Sequence, residues 1–468
     1  MEGLLKKMPP FGVQMTDEPN GRPERVYPED RHGWPGLKEK LNAEVEIKDG
    51  KVLSDALGGK AKDYFTENIS IKSDIGKKNG IIIRGENKFV LADSNIEMSG
   101  DASNDFECIG AAVSALSGSN TVVKNTVIKT SGLVKSCTTA AEKSNLYVYD
   151  SKLECNGGTL PEGYVNIPGP GGMLTPPPGL GIGGTARAHL SMYGSKTYFK
   201  RCEITSEGWA ALSTDASDGY VYLEADDCDI VVKNAGYGIY SDGDCHVVLK
   251  NSRVNTLSHT AIMAGECTGR FEDVKAVSGK YFIMIHNVMG IPEEIACVAV
   301  DGGDISTGEE AFYLKSCNSH ISIRGAKIHS RKGILARAIV NDDECKTDTM
   351  GKDVFGNNMI IADSELCGDI INDDDERVLS VYLTGTKLEG GLNNVHLSLD
   401  ESSRWFADKD SVVAITSETY KNQIDAAAGV TIKAYVFTEG DCETISLPSG
   451  GKLEIINPNG HITDENTI

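Results

Sequence analysis

The sequence has little positive charge, few aromatic residues and few prolines. Its 46 Lys and Arg residues stand against 68 Asp and Glu residues, which gives a formal net charge of −22. Nucleic acid is therefore an unfavourable general partner, because phosphate binding needs a basic surface. Aromatic residues make up only 6% of the chain, and 51 glycines outnumber 15 prolines. We therefore expect a mainly aliphatic core and many turns between short elements.

Long apolar runs and paired cysteines are also missing. No stretch approaches the roughly 20 apolar residues that span a bilayer, and residues 1–15 contain no apolar leader core. The 12 cysteines form no C-x-x-C pair, which disfavours a zinc ribbon or a thioredoxin-type motif. The sequence thus predicts a cytoplasmic protein with reduced cysteines that binds neither membrane nor nucleic acid.

The chain does contain an internal repeat. From Ile69 onward three short alternating strands recur, and the second strand of each unit opens on an apolar marker residue. The markers are Ile96, Ile128, Leu153, Ile204, Ile230, Val254, Ala276, Ile305, Ile328, Leu366 and Leu388. Most neighbouring markers are about 24 residues apart. This period predicts an all-β fold, a right-handed parallel β-helix of eleven or twelve coils.

The repeat divides the chain into three segments. Residues 1–67 do not repeat, are proline-rich up to Pro35, and are predicted to be an arm that caps the first coil. Residues 68–400 form the predicted β-helix, and residues 401–468 a C-terminal cap. The largest interruption, residues 156–184, contains ten glycines and six prolines. A loop of this length and composition is predicted to be a functional lid or an arm exchanged between subunits.

The coil pattern, over roughly residues 69–400, resembles the pectin-lyase-like superfamily of right-handed parallel β-helices. The resemblance is one of fold, and no motif of a single family accompanies it. It implies an architecture shared by polysaccharide lyases, glycoside hydrolases, esterases and epimerases, and also by adhesins and phage fibres. Fold alone does not decide among these functions.

Aligning the third strands of the coils predicts which side chains face outward. With Ile239 facing inward, Tyr240, Met263, Met284 and Tyr313 form an outer column. An apolar outer face needs a cover, and the inserted loop, a ligand or another subunit could each supply one. These four residues are predicted to contact a substrate.

Ionisable residues are predicted to line the same surface. Asp242, His286 and Lys315 follow two positions further on, and Arg187 and His189 point outward if the alanines beside them point inward. In this arrangement His286 or His189 is the base, and Asp242 orients it. Arg187 or Lys315 then neutralises developing negative charge.

Two charged stretches add further candidates. A cation-rich stretch that includes Lys315 and Arg337 can hold an anionic substrate or pair with the acidic residues 342–344 and 373–376. An acidic group from Asp215 to Asp229 offers carboxylates for Ca²⁺, and no other cofactor is predicted. Asp215 and Arg337 are accordingly added to the predicted substrate-binding residues.

These patterns favour an enzyme. The prediction is an intracellular lyase or isomerase, rather than a glycoside hydrolase, that uses His/Asp acid–base chemistry. Its expected substrate is a small anionic or polyhydroxylated molecule: a sugar acid or oligosaccharide by analogy of fold, or a phenolic compound by the Tyr/Met column. The alternative is a non-enzymatic binding or assembly protein, a homo-oligomer whose Tyr/Met column is a subunit interface.

Overall fold

The computed structural model describes residues 40–166, 173–215, 219–287, 294–341, 356–415, 420–437 and 442–457. These residues form a parallel β-helix with three strands in each coil. Most strands pair in parallel with the matching strands of the coils before and after them. We number the three resulting sheets by the order of strands in the repeat unit.

Sheet I contains the first strand of each coil. Its strands are Phe65–Glu67, Lys88–Ala92, Asn120–Lys124, Asn145–Tyr149, Lys196–Lys200, Val221–Asp226, Cys245–Lys250, Thr268–Glu272, Ile295–Asp301, Asn318–Arg324, Asn357–Ala362, Leu379–Thr384, Leu392–Leu399, Ser411–Ile415, Thr431–Val436 and Lys452–Ile456.

Sheet II contains the second strand of each coil. Its strands are Ser70–Ser73, Asn95–Ser99, Val127–Ser131, Lys152–Asn156, Glu203–Ser206, Asp229–Val232, Arg253–Thr256, Lys275–Ser278, Asp304–Thr307, Lys327–Ser330, Glu365–Cys367, Lys387–Glu389, Arg404–Ala407 and Ile424–Ala426.

Sheet III contains the third strand of each coil. Its strands are Ala43–Lys48, Asn79–Arg84, Val113–Leu116, Thr138–Ala140, Arg187–Met192, Trp209–Asp215, Gly236–Asp242, His259–Ala264, Ile283–His286, Phe312–Lys315, Ile334–Ile339 and Asp369–Asn372. Leu392–Leu399 runs from sheet III into sheet I and joins the two.

Four short elements lie outside the repeat. Lys51–Asp55 pairs antiparallel with Ala43–Lys48, and Glu443–Ser446 pairs antiparallel with Lys452–Ile456. Two 3-10 helices span Asp105–Glu107 and Tyr420–Asn422.

The marker residues form one inward column of sheet II. Ile128 pairs with Ile96 and Leu153, and Ile305 pairs with Ala276 and Ile328. All six are buried, because the chain places one apolar residue at the same height in every coil. The predicted all-β parallel β-helix is confirmed.

The repeat runs past both predicted boundaries. Ala43–Lys48 pairs with Asn79–Arg84, so the first segment contributes strands before residue 68. At the other end Leu388 pairs with Trp405, and Trp405 pairs with Ile424. Sheet II accordingly holds ten and then four strands, more than the eleven or twelve coils predicted. The last coils escaped the pattern because they are shorter and one uses Trp405 in place of an aliphatic marker.

Polar residues turn the corner between sheets I and II. Residues of this corner have left-handed backbones, with φ of 49° at Asp93, 47° at Asn125 and 49° at Asn251. Short Asp and Asn side chains tolerate this conformation better than most non-glycine residues. Asn125 donates to Asp93, and Asn251 donates to Asp226, each one coil away. Short polar residues therefore mark this corner of the coil.

Cysteines serve the fold as small core residues. Every described cysteine is free, and most are buried. Burial raises the pKa of the Cys108 thiol to about 12 and that of the Cys317 thiol likewise to about 12. Such thiols stay protonated near neutral pH and are poor nucleophiles.

Candidate functional site

The three outer faces of the β-helix differ in character. Sheet II is covered by ion pairs between neighbouring coils, such as Lys72 with Glu97 at 3.0 Å and Lys152 with Glu203 at 2.8 Å. Sheet I carries a stack of half-buried rings, in which Tyr147 and Tyr198 lie 5.0 Å apart. Only sheet III has a predominantly apolar outer face, and chain insertions cover it. The candidate site lies there.

The apolar outer column differs by one residue from the predicted column. Tyr240 pairs with Ile262, Ile262 with Met284, and Met284 with Tyr313. Met263 instead lies in the main core with no exposed surface, so its predicted outward orientation is wrong.

The displacement has a physical cause in the strand itself. In each coil two successive residues, such as Phe282 and Ile283, face the core before alternation begins. The prediction counted a strict period of two and took Ile262 as the inward residue of its strand. It therefore assigned Met263 to the wrong side. Met284, Tyr240 and Tyr313 face outward as predicted.

The insertion after Asn156 covers this column. Met173 and Leu180 are buried against it, and Leu174 and Ile182 pack beside them. Two side chains of sheet III and one from the turn before it donate to consecutive carbonyls of the insertion: Lys315 Nζ to Gly179 at 3.2 Å, His259 Nε2 to Leu180 at 2.7 Å, and Lys280 Nζ to Gly181 at 2.9 Å. Of the three covers considered, the described part of the insertion is the one found.

Leu180 should hold the insertion in place. Leu180→Ala is expected to remove about 2 kcal/mol of apolar contact, which corresponds to about 30-fold faster amide exchange for residues 173–182. Hydrogen exchange read by mass spectrometry measures this. Val165→Ala is the matched control, because Val165 belongs to the same insertion and is 75% exposed. Equal exchange in both variants would show that Leu180 does not anchor the insertion.

Rings support the insertion from below. The His259 ring stacks on Tyr281 at 5.0 Å, and Tyr281 stacks on Tyr313 at 4.3 Å. Burial, together with the charges of Lys280 and Lys315, lowers the pKa of His259 to about 3 against the hydrogen bond to Leu180. A neutral imidazole that donates from Nε2 suits the Leu180 carbonyl.

Arg187 has a structural partner that the sequence did not indicate. Its guanidinium donates to both carboxylate oxygens of Asp105 at 2.8 Å and lies 4.6 Å from the ring centroids of Phe106 and Trp209. Both members of the pair are buried. Burial lowers the pKa of Arg187, but the Asp105 carboxylate outweighs it and holds that pKa above its ordinary value. Arg187 is thus committed to Asp105, which corrects its prediction as a charge-neutralising group.

His189 faces the interior. Its Nδ1 lies 2.8 Å from Thr138 Oγ1, its Nε2 lies 2.7 Å from Ser191 Oγ, and its ring edge contacts Phe199. Burial lowers its pKa to about 3. The predicted outward orientation of His189 is wrong, since the same pair of inward residues precedes alternation here.

His286 faces the outer side of sheet III. It is 1% exposed and pairs with Ala264 on one side and Lys315 on the other. Neither ring nitrogen has a hydrogen-bond partner within the part of the chain that the structure describes. Burial is the main cause that lowers its pKa to about 3, and Lys315 and His259 contribute. The imidazole is neutral and able to accept or donate a proton.

Asp242 lies two coils from His286, with Ala264 between them. Two strand spacings amount to about 10 Å, so Asp242 does not orient His286 directly, and that part of the prediction is corrected. Burial, Asp215 and Glu294 all raise the pKa of Asp242 well above the ordinary value, against a hydrogen bond from Tyr240. Asp242 therefore keeps its proton to higher pH than a typical carboxyl group.

Glu294 completes an acidic edge that sequence reasoning missed. It is 8% exposed, and its carboxylate lies directly over Gly265, where a Cβ would come within 2.7 Å of Oε2. Glu294 follows an interruption of the repeat, and nothing in the pattern marked its position. Together with Asp215 and Asp242 it makes this edge of the site acidic.

The predicted cations are held by protein groups. Arg337 pairs with Asp373 at 2.7 Å and lies 3.7 Å from Glu310, and Lys315 donates to Gly179. The cation-rich stretch is thus paired with an acidic run at Arg337, one of the two predicted alternatives. The acidic residues 342–344 lie outside the described residues.

The acidic residues suggested for Ca²⁺ do not converge. Asp226 binds Lys200 on sheet I at 2.7 Å, Asp229 pairs with Arg253 on sheet II, and Asp215 lies on sheet III. Asp218 lies outside the described residues. No group of three or more His, Cys, Asp or Glu side chains placed to hold a metal ion occurs in the described ranges.

No helix among the described residues is long and apolar enough to cross a membrane. No family model matches the chain, and no curated protein matches it.

Proposed function

We propose that the chain is an acid–base enzyme of the lyase or isomerase type, with its active site on the outer face of sheet III. The observation that carries the proposal is His286, a buried imidazole on the outer face of sheet III whose two nitrogens have no hydrogen-bond partner among the described residues. A buried polar group without partners costs roughly 1–3 kcal/mol of stability. Such a cost is typical of residues kept for a reaction rather than for folding.

Asp242 lies on the other side of Ala264 from His286, and it also supports the proposal. Its raised pKa suits a proton donor, whereas neutral His286 suits a proton acceptor. In this proposal the substrate lies over the small Ala264 side chain, between the two groups. Removal of a proton by His286 and delivery of one by Asp242 are the two halves of an elimination or an isomerisation.

The charges favour one of the substrate classes considered. Arg187, Lys315 and Arg337 already have protein partners, and Asp215, Asp242 and Glu294 make one edge of the site acidic. An anionic substrate would meet repulsion there. We therefore propose a small polyhydroxylated substrate whose hydroxyl groups bond the carboxylates, with Tyr240 and Met284 as its apolar contacts.

Further elements of the proposal rest on architecture and sequence. The three-sheet coil supports membership of the pectin-lyase-like superfamily, and the charge and cysteine content support a cytoplasmic location. The assembly alternative loses its main support, because the Tyr/Met column is packed against the insertion rather than exposed.

Asp242→Asn tests the acid–base assignment. Activity is expected to fall by about 10²- to 10⁴-fold, the usual contribution of one general acid. The folded-state pKa of Asp242 lies above its unfolded value, so ionisation increasingly destabilises the folded protein as pH rises from about 4. Asp242→Asn should therefore unfold at a higher urea concentration than wild type at pH 8 and at the same concentration near pH 3.5.

The assay for activity follows from the chemistry. Wild type and Asp242→Asn are incubated in D₂O with a panel of neutral sugars, sugar acids and oligosaccharides, and deuterium entry at carbon is read by NMR. The matched control is Asp229→Asn, since Asp229 pairs with Arg253 on sheet II, away from the site. Full activity of Asp242→Asn, or equal losses in both variants, would refute the role of Asp242.

A further inference from the structure

Two neighbouring coils carry a cysteine at the corner between sheets I and II. Cys202 and Cys228 each directly precede a strand of sheet II, and those two strands pair in parallel. The Asp229 N–H donates to the Cys202 carbonyl at 2.9 Å, so the two cysteines lie at the same place in consecutive coils. One strand spacing of about 4.8 Å separates their Cα atoms. A disulfide spans Cα separations of roughly 4.4–6.8 Å, so the two positions could be joined without moving the coils.

A hydroxyl group is the commonest side-chain group at this position of the coil. Buried Ser and Thr residues occupy it elsewhere in the rod: Ser94, Thr126, Ser151, Ser252, Ser364, Thr386 and Ser403. Most of their oxygen atoms accept a backbone N–H from the preceding coil, as Ser252 Oγ does from Cys228 N at 3.1 Å. The sulfur atoms of Cys202 and Cys228 accept bonds of the same kind. A serine would therefore meet the packing and hydrogen-bonding needs of either position, and the fold itself does not call for a thiol.

The two thiols are hydrogen-bonded to each other. The hydrogen bond from Cys228 lowers the pKa of the Cys202 thiol, against desolvation by burial. The same bond, together with burial, raises the pKa of Cys228. A thiol with a lowered pKa beside a second thiol is the arrangement of an attacking and a resolving cysteine.

Both thiols lie just inside an exposed corner. Each cysteine is 2% exposed, and each follows an exposed residue, Arg201 or Asp227, with a left-handed backbone. Only a reactant close to water in size suits such a position. A second thiol pair in the chain, Cys137 and Cys155, has the same mutual contact but lies in the main core. That pair shows the contact without the corner.

We propose that Cys202 and Cys228 form a modification site for small hydroperoxides, separate from the proposed active site on sheet III. The Cys202 thiolate attacks one peroxide oxygen and the O–O bond breaks. The second oxygen takes up a proton and leaves as water or an alcohol, and Cys202 becomes a sulfenic acid. The Cys228 sulfur then displaces the hydroxyl group as water, and an S–S bond joins the two coils. The peroxide is reduced by two electrons, and two thiols are oxidised to one disulfide.

Mass spectrometry of the full-length protein tests this site. Reduced protein is exposed to hydrogen peroxide, denatured in iodoacetamide and digested with trypsin. One tryptic peptide carries both cysteines, because no Lys or Arg lies between Cys202 and Lys233. We expect this peptide to lose both alkylation sites and to become two hydrogen atoms lighter than its reduced form. The peptides that contain Cys137 and Cys155 are the control and should stay fully alkylated.

Serine variants separate the roles of the two thiols. Cys228→Ser should stop at the sulfenic acid of Cys202, which dimedone traps, whereas Cys202→Ser should leave Cys228 as a thiol. Because serine occupies the same position in the adjoining coils, both variants should keep the thermal midpoint of wild type. Complete alkylation of both cysteines in wild type after peroxide treatment would overturn the proposal. A Cys137–Cys155 disulfide that forms equally fast would also overturn it, because oxidation would then follow loss of the fold.

Discussion

Asp105→Ala is expected to lower the free energy of unfolding by about 3–5 kcal/mol, the cost of leaving one buried charge without its partner. Arg187 would remain buried between Phe106 and Trp209 with no carboxylate to accept its two hydrogen bonds. Asp105 lies in a chain insertion and Arg187 lies on sheet III. The pair therefore fastens the segment that contains Asp105 to the rod. Urea unfolding followed by circular dichroism measures the loss.

An exposed ion pair provides the control. Asp150 binds Arg201 with similar geometry, at 2.6 Å, but both side chains are largely in water. Asp150→Ala should therefore cost less than about 1 kcal/mol. The double variant Asp105→Leu with Arg187→Met should recover most of the loss, since it leaves no buried charge. A loss below 1 kcal/mol for Asp105→Ala would show that the pair does not fasten the segment that contains Asp105.

Acid is expected to destabilise the protein well above the pH at which carboxyl groups titrate. His189, His259 and His286 each have a pKa lowered by burial from 6.5 to about 3. Below pH 6.5 the unfolded chain binds protons at these sites and the folded chain does not, so stability falls as pH falls from 6.5 towards 3. At pH 5 each histidine costs about 2 kcal/mol. Asp242, with its raised pKa, offsets part of this loss.

Single substitutions resolve the histidine contributions. His286→Leu removes one titrating group, so its stability should fall by about 2 kcal/mol less than that of wild type between pH 7.5 and pH 5. His329→Gln, which replaces an exposed histidine on sheet II, is the matched control. Urea unfolding midpoints at the two pH values provide the comparison. Parallel curves for wild type and His286→Leu would mean that His286 titrates normally in the folded protein.

The fold was predictable because the same residue pattern recurs in the sequence once per coil. One apolar marker in each coil, such as Ile204 or Ile230, specifies both the strand and the side that faces the core. Errors arose where a coil departs from the pattern. Trp405 continues the column of aliphatic markers with an aromatic residue, and the N-terminal strand Ala43–Lys48 precedes the first marker.

The candidate site was predictable only where alternation alone decides orientation. Tyr240, Asp242 and His286 were placed correctly, because they follow the point at which strict alternation resumes. Met263 was misplaced by a register slip of one residue, because Ile239 pairs with Ala261 and not with Ile262. His189 was misplaced because it pairs with Leu212, the second of two successive inward residues.

The sequence could not predict the partner groups that other segments of the chain contribute. Asp105 is 82 residues from Arg187 and Leu180 is 79 residues from His259. No local pattern links such residues, and only the closing of insertions over sheet III brings them together. The sequence could therefore suggest that the insertion covers a site. It could not show which charged residues of that site are already paired.

The claim that His286 is kept for chemistry can be tested by a single comparison. Deuterium entry into the sugar panel and the thermal midpoint are measured together for wild type and His286→Leu at pH 7.5. The account predicts that His286→Leu incorporates no deuterium and melts at the same or a higher temperature, because the variant replaces an unpartnered buried polar group with an apolar one. A variant that incorporates deuterium as fast as wild type, or one that loses both activity and stability, would contradict it.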